Sequence, residues 1–283
     1  LSFKWGNTLR KLFDSFILGT LLLLPAIGNA AIIGGFDSRT LAGTYSIYDP
    51  SAANSELTDA SNFGLYGDSI TFATSTLTAT DSYLSGVDIF FTGLLTDTAA
   101  LSVAEVSSLV TFINNGGVVI AHGDNLGFDV SSDPLLNEFG LDIINTSNNQ
   151  VLTTVNIDNT LHPIMSGPFG TVAPHSISDS ARLGATSSGA GEVIGSYAGG
   201  FGAIGVVDPG VGRAGGLLFL PDSESYGLTE SNFRGSTETE RVFNNGIAWA
   251  IGLNTVPEPS IIALFGMGLV GLGFARRRKL RQS

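Results

Sequence analysis

Cysteine is absent from this 283-residue chain, which removes disulfides, thiolate metal sites and cysteine nucleophiles together. Lysine is confined to the ends. Lys4, Arg10 and Lys11 lie near the start, and Arg276, Arg277, Arg278, Lys279 and Arg281 lie at the finish. The stretch from Ala31 to Ala275 therefore keeps five of the 13 basic residues, all arginine, against 24 carboxylates, for a net charge near −19. Such a surface repels nucleic acid and anionic lipid headgroups, and it favours solubility and loose attraction of divalent cations. GxSxG, HExxH and EF-hand spacings are also missing, so no serine-hydrolase elbow or zincin helix is encoded, and any metal would be calcium or magnesium held by oxygens.

What is present begins at the C-terminus. Val256-Pro257-Glu258-Pro259-Ser260 is followed by an apolar run from Ile261 to Ala275 and then by Arg276-Arg277-Arg278-Lys279. At ~1.5 Å per residue the run gives roughly 22 Å of helix against a hydrocarbon core of about 30 Å. Such a span is short, so the bilayer thins or flanking side chains snorkel. The basic cluster favours the cytoplasmic side and leaves everything before Pro257 outside. Pro257 and Pro259 forbid regular helix there and keep the stretch extended and open to a protease. Within the run, Gly266-Met267-Gly268-Leu269-Val270-Gly271 spells GxGxxG but lacks the strand and acidic partner of a dinucleotide site, and it reads as membrane-helix packing positions or simple compositional bias.

This order of motif, short span and basic cluster resembles the PEP-CTERM sorting tail of Gram-negative bacteria. The resemblance implies an exported protein handed to the membrane transpeptidase exosortase. The N-terminus agrees: Lys4, Arg10 and Lys11 precede the apolar Phe16 to Leu24, and Pro25-Ala26-Ile27-Gly28-Asn29-Ala30 supplies the small residues of a signal-peptidase site. The expected organisation is a signal peptide over 1–30, an exported domain over 31–254 and a sorting tail over 255–283. The domain would first be held outside the cytoplasm at the inner membrane, then reach the cell surface or the extracellular space.

About 224 residues between the two signals suffice for one packed core. Val87 to Thr92 reads as a buried strand. Ser102-Val103-Ala104-Glu105 is a capping box, flanked by Leu101 and Val106 as a hydrophobic staple. Val103, Val106, Val110 and Ile113 recur at helical spacing, and Gly116-Gly117 ends the helix. Val118 to Ala121 is a second buried strand, which makes a right-handed βαβ unit with parallel strands. Leu217 to Leu220 reads as another strand. Thr237 to Ile251 reads as a helix opened by a second capping box at Thr237-Glu240, with Phe243, Ile247 and Ile251 on one face. Val151 to Ile157 alternates as a strand, Thr71 to Thr80 reads as a loop or edge strand, and the glycine-rich stretch 184–216 is open between strands, hairpins and loops. The expected fold is α/β with an open, mostly parallel sheet, followed by a single C-terminal transmembrane helix.

Phe112-Ile113-Asn114-Asn115-Gly116-Gly117-Val118-Val119-Ile120-Ala121-His122-Gly123-Asp124, His162-Pro163-Ile164-Met165-Ser166-Gly167, the strand before Asp222 and Asn245-Gly246-Ile247-Ala248-Trp249 resemble the class I glutamine amidotransferase-like superfamily, nearest its trehalose-utilisation-like branch. The resemblance implies a flavodoxin-like fold with a crevice at the carboxyl ends of the strands. Where those enzymes carry a nucleophilic cysteine, this chain has Ala121-His122-Gly123-Asp124-Asn125, so glutaminase chemistry is excluded. His122, Asp124 and Asn125 follow one strand, and Asp222 and Glu224 follow another. Meeting in one crevice, they would bind a divalent cation such as calcium, hydrogen-bond sugar hydroxyls or act as acid and base. Otherwise they cap helices and satisfy loop backbone. His162-Pro163 reads as a structural turn.

Three roles follow. The first is a non-catalytic surface or matrix protein of a biofilm, associated with exopolysaccharide, without cofactor, and meeting signal peptidase and exosortase during processing. The second is a carbohydrate-binding or carbohydrate-acting protein using the crevice. The third is a structural partner in an envelope complex.

Overall fold

The computed structural model describes residues 30–41, 44–63, 69–124, 128, 131–144, 153–178, 180–184, 189–229, 233 and 236–254. The leader, the sorting residues Val256, Pro257, Glu258 and Pro259, the basic cluster and Asn125 lie outside the described residues. Among the described residues no helix is long and apolar enough to cross a membrane.

The elements run β1 (Ala30–Gly35), α1 (Ala52–Thr58), β2 (Ser69–Phe72), α2 (Asp81–Leu84), β3 (Ile89–Gly93), a 3-10 turn (Asp97–Ala99), α3 (Val103–Asn114), β4 (Val118–His122), α4 (Asp133–Asn137) and β5 (Asp142–Ile143). They continue as β6 (Thr153–Ile157), β7 (Ser166–Gly167), β8 (Gly170–Thr171), β9 (His175–Ile177), β10 (Leu183–Gly184), β11 (Gly191–Tyr197), β12 (Gly202–Val207), β13 (Gly216–Leu220) and α5 (Thr237–Asn254).

One sheet carries the order β2-β1-β3-β4-β13-β12-β11-β6-β9. From β2 to β13 every pairing is parallel. This half has the doubly wound order 2-1-3-4-5, which reverses direction between β1 and β3. Strands β3, β4 and β13 are buried along their whole length, as apolar runs covered on both faces must be. The edge strand β2 alternates exposed and half-buried positions. From β13 outward the pairings through β12, β11, β6 and β9 are antiparallel. The sheet is therefore mixed, where the sequence reading expected a mostly parallel one.

The difference lies in the glycine-rich stretch, whose strands join by short antiparallel returns instead of crossover helices. Glycine is needed there at Gly202: a Cβ would stand 2.8 Å from Val193 Cγ2 and 2.9 Å from Leu183 Cβ, so β10 could not pack against β12. Helices cover both faces of the sheet. Ala53, Leu57, Val242, Phe243, Ile247 and Ile251 of α1 and α5 join one core with Ile89, Phe91 and Leu218. Leu84, Leu109, Phe112, Ile113 and Leu135 of α2, α3 and α4 join the other with Phe90, Val119 and Phe219.

Helix α3 forms where the sequence places it, with a complete capping box between Ser102 and Glu105. The staple residues Leu101 and Val106 are both buried. The buried stripe is Val106, Leu109, Phe112 and Ile113, while Val103 is 89% exposed, because the first helical position points away from the sheet. At α5 the capping role falls to Ser236, whose hydroxyl accepts from Glu238 N–H at 3.2 Å, so Thr237 is already helical.

Glu105 does more than cap. Its Oε2 accepts from Ser102 N at 2.9 Å and Ser102 Oγ at 2.8 Å, and its Oε1 accepts from Ala79 N at 3.3 Å. Its carboxylate also pairs with Arg39 through both oxygens. Arg39 in turn donates to Ala99 O and Ala100 O and lies 4.6 Å from the Phe36 ring centre. This pair ties the loop after β1 to the start of α3. Burial alone would raise the Glu105 carboxyl, but the Arg39 and Ser102 hydrogen bonds outweigh it and hold the group below its ordinary range.

A depressed folded value means the stabilisation is complete above the unfolded value and is lost as pH falls through the folded one. Glu105→Gln should therefore cost about 3 kcal/mol in urea unfolding at pH 7, with a penalty that shrinks below about pH 4. An equal penalty at pH 7 and pH 3 would show that the ion pair contributes nothing.

Candidate functional site

Strands β4 and β13 are parallel neighbours in a register that sets Leu220 beside His122. Residues just past the two ends must then meet. Gly123 N–H donates to Leu220 O at 2.8 Å, and Ser223 Oγ donates to Asp124 Oδ2 at 2.6 Å. His122, Asp124 and Asp222 are thus brought to one end of adjacent strands. Glu224 accepts from Tyr45 OH at 3.2 Å.

The two aspartates build the loop they stand on. Asp222 Oδ1 accepts from Glu224 N at 3.0 Å and Ser225 N at 3.1 Å, while its Oδ2 accepts from Ser225 Oγ at 2.5 Å. That is the turn chemistry of an aspartate after a strand. Asp124 and Asp222 are 5% and 0% exposed.

His122 is fully buried, its ring stacked on Phe91 at 6.1 Å and 21°, and among the described residues neither ring nitrogen has a hydrogen-bond partner. Burial lowers its pKa from 6.5 to about 3, so the imidazole is neutral at ordinary pH. An acid–base pair needs a partner at hydrogen-bond distance, and among the described residues no carboxylate is hydrogen-bonded to this ring. Among the described residues no group of three or more His, Asp or Glu could hold a metal ion.

Where strand order reverses, between β1 and β3, the loop after β1 lies across the end of β3. Tyr45, in the loop after β1, takes a left-handed φ of 54° and accepts Leu94 N–H on its carbonyl at 3.1 Å. Gly93, at the end of β3 with φ 63°, allows this approach: a Cβ there would lie 2.8 Å from Tyr45 O and 2.6 Å from Thr40 Cγ2. Ser46, fully buried, donates to Asp37 Oδ1 at 2.8 Å and lies 3.4 Å from Asp49 Oδ2. Burial, with Asp37 adding to it, holds the Asp49 carboxyl above its usual range. A 290 Å³ cavity beside this loop is lined by Tyr45, Asp49, Pro50 and Leu228 and by none of the predicted site residues. A larger cavity of 460 Å³ lies at the opposite, amino ends of the strands, against Asp81, Asp88, Ser108 and Asn115.

Two further histidines are structural. The His175 Nδ1–H faces Ala173 O at 3.0 Å, which leaves Nε2 to accept from Tyr226 OH at 3.1 Å. This bond fastens β9 to the loop after Asp222. Nothing in the sequence around His175 signals it, because the two residues are brought together only by the antiparallel half of the sheet. His162 accepts Ile164 N–H on Nδ1 at 3.2 Å and turns Nε2 toward both oxygens of Asp208 at 3.3 Å. The contact holds the Asp208 carboxyl below its ordinary range.

Residues 255–279 match the PEP-CTERM protein-sorting motif. No curated protein matches the chain. Among solved structures, the mmIFT52 N-terminal domain is similar at 14% identity over 78% of this chain and 97% of that one, with a TM-score of 0.57. A cytoplasmic protein, STM1381, from Salmonella typhimurium LT2 aligns at 9% identity over 80% and 99%, with a TM-score of 0.49. A thuA-like protein from Bacteroides uniformis ATCC 8492 aligns at 11% identity over 78% and 91%, with a TM-score of 0.46. The first likeness shows a shared α/β fold and nothing of activity. The sorting motif supports an exported protein of the exosortase-substrate class, held in the membrane before processing.

A buried imidazole without partners costs free energy that an apolar ring would not. His122→Phe should therefore be neutral or stabilising by about 1–2 kcal/mol at pH 7. Because the folded pKa is depressed, the stability tied to His122 is present above 6.5 and lost as pH falls toward about 3. Between roughly pH 6 and 4 the wild-type chain should lose about 1.4 kcal/mol per pH unit more than the variant. Parallel stability–pH curves for the two proteins would contradict the buried neutral assignment.

Proposed function

We propose that this chain is an exported, non-catalytic surface or matrix protein associated with exopolysaccharide. In this reading a signal peptide over 1–30 is removed, exosortase acts on the tail beginning at 255, and the domain over 31–254 is delivered as a closed scaffold. The observation that carries the export is the sorting motif at 255–279. The non-catalytic reading is supported by the strand ends: Asp222 is consumed by its own loop, Asp124 is held by Ser223, and the loop after β1 lies across the end of β3. The lysine-free, strongly acidic composition of the body suits a hydrated matrix and disfavours nucleic acid.

A carbohydrate-binding role has one observation in its favour. The 460 Å³ cavity combines Asp81, Asp88, Ser108, Thr111 and Asn115 with Phe112, a mix of carboxylate, hydroxyl, amide and apolar surface. It lies away from the strand ends where the sequence placed the crevice.

Cell fractionation of the host carrying Glu258→Ala or a Pro257→Ala, Pro259→Ala double variant tests the sorting. The expected result is full-length protein retained in the inner-membrane fraction, with His122→Phe and Glu224→Gln sorted like the wild type. Normal processing of the motif variants would refute exosortase sorting. A saccharide-cleaving activity lost in His122→Phe would refute the non-catalytic reading.

A further inference from the structure

Strands β1, β3, β4 and β13 are parallel, so Ala30, Ile89, Val118 and Gly216, which open them, share one pole of the sheet. Helix α5 runs back against these strands and ends at that pole. Trp249 lies over the start of β13, where a Cβ on Gly216 would stand 2.6 Å from its ring. Asn254, the last residue of α5, lies about 7.5 Å further along the helix axis. Strands β12 and β6 run the other way and finish at this pole, which places the turns after them there too.

Each of those turns carries a bare apolar side chain at its tip. Val211 and Gly212 are closed off by Gly210 and Arg213, which exchange backbone hydrogen bonds at 2.9 and 3.0 Å, and Val211 is 107% exposed. Leu161 sits in a turn closed by His162 N–H on Asn159 O at 3.3 Å and is 89% exposed. Turn tips ordinarily go to Gly, Asn or Asp. One exposed apolar side chain needs no explanation, but two that are fixed relative to each other at one pole do. The fixing contact is His162 Nε2 against both Asp208 oxygens at 3.3 Å, braced by Arg213 Nε donating to Asp208 O at 2.7 Å. Val103, as exposed as Leu161, stands at the opposite pole, because α3 starts there and ends where Asn114 O accepts Ala214 N–H.

Six residues, 255–260, separate Asn254 from the apolar run that begins at Ile261. Fully extended they reach roughly 20 Å, about the radius of a body of this size. With the run in the membrane, so short a tether holds the pole where α5 ends against the bilayer. We propose that this pole is a membrane-docking surface, with Leu161 and Val211 inserted among the lipid headgroups while the sorting tail is in place. The proposal rests on the reading that the run 261–275 lies in the membrane. Asp158, Glu192 and Asp208 stand around the tips against Arg213, so insertion into zwitterionic lipid, and not attraction to anionic headgroups, must supply the contact. The two side chains offer about half the carbons of a myristoyl chain, which alone binds only marginally. The tether makes the contact intramolecular and so sufficient. Docking holds Pro257-Glu258-Pro259 at the membrane surface for exosortase, and it ends when the tail is cut and the body is released.

Because the chain has no cysteine, each single-cysteine variant carries one environment-sensitive fluorophore. The full chain is reconstituted, one copy per phosphatidylcholine nanodisc with nitroxide-headgroup lipid, labelled on Leu161→Cys, Val211→Cys, Val103→Cys or Leu269→Cys. Labels at positions 161 and 211 should be blue-shifted and quenched by the nitroxide, the label at 103 should be neither, and the label at 269 should lie in lipid. Adding Val211→Ser to the Leu161→Cys protein should abolish most of the quenching at 161, and phosphatidylglycerol discs should weaken it. If the label at 269 is in lipid while 161 and 211 behave like 103, the docking proposal alone is overturned. If the label at 269 is not in lipid, the reading of the tail fails and the proposal fails with it. A blue shift at 161 and 211 without nitroxide quenching would mean contact with protein and would also overturn it. Quenching confined to phosphatidylglycerol discs would do the same, since electrostatic attraction would then replace insertion.

Discussion

The parallel pairing of β4 with β13 holds the two halves of this fold together. Its partners are about a hundred residues apart, and every pair from Val118–Gly216 to His122–Leu220 is in register. At its entry, Ala214 and Gly215 donate their amides to Asn114 O and Ile113 O, satisfying carbonyls that the end of α3 leaves open. At its exit, Gly123 N–H meets Leu220 O and Ser223 meets Asp124. On one side stand the crossover-connected strands β2, β1 and β3, and on the other the antiparallel β12, β11, β6 and β9. Because helices cover both faces, these central strands must be apolar throughout, and polar groups can appear only beyond their ends.

Those ends are where a doubly wound fold would carry a ligand. Here the first residues past each strand are spent on closure. Asp222 caps the turn that follows it, Asp124 is clasped by Ser223, and Tyr45 accepts a left-handed backbone to lie over Gly93. A tyrosine in that conformation costs on the order of 1 kcal/mol or more, and the surrounding contacts over-determine it. The His175–Tyr226 bond then ties the antiparallel half to the same loop.

Much of this was legible in the sequence where signals are local. The strand, capping box, helix and glycine stop from Val87 to Ala121 fall within one short stretch, and each part reinforces the next. The sequence shows His122 and Asp222 only as residues that follow two separate strands, since register is a long-range property. The antiparallel half was obscured because glycine carries no periodic apolar signal, although Gly202 is there for packing. The helical stripe was mis-phased at Val103, an apolar residue at the first helical position that faces solvent. The roles of Arg39, Tyr45 and His175 left no mark, since each partner lies dozens of residues away.

The most direct test of a closed strand end is the pH titration of the His122 ring followed by nitrogen-15 NMR of the imidazole. A neutral ring that does not titrate above about pH 4 is the result this structure requires, given a folded pKa of about 3. A midpoint near 6.5, or a shift of the ring nitrogens when the host's polysaccharide is added, would mean that water or ligand reaches the imidazole. The strand ends would then form an open site, and the account of a closed scaffold would be wrong.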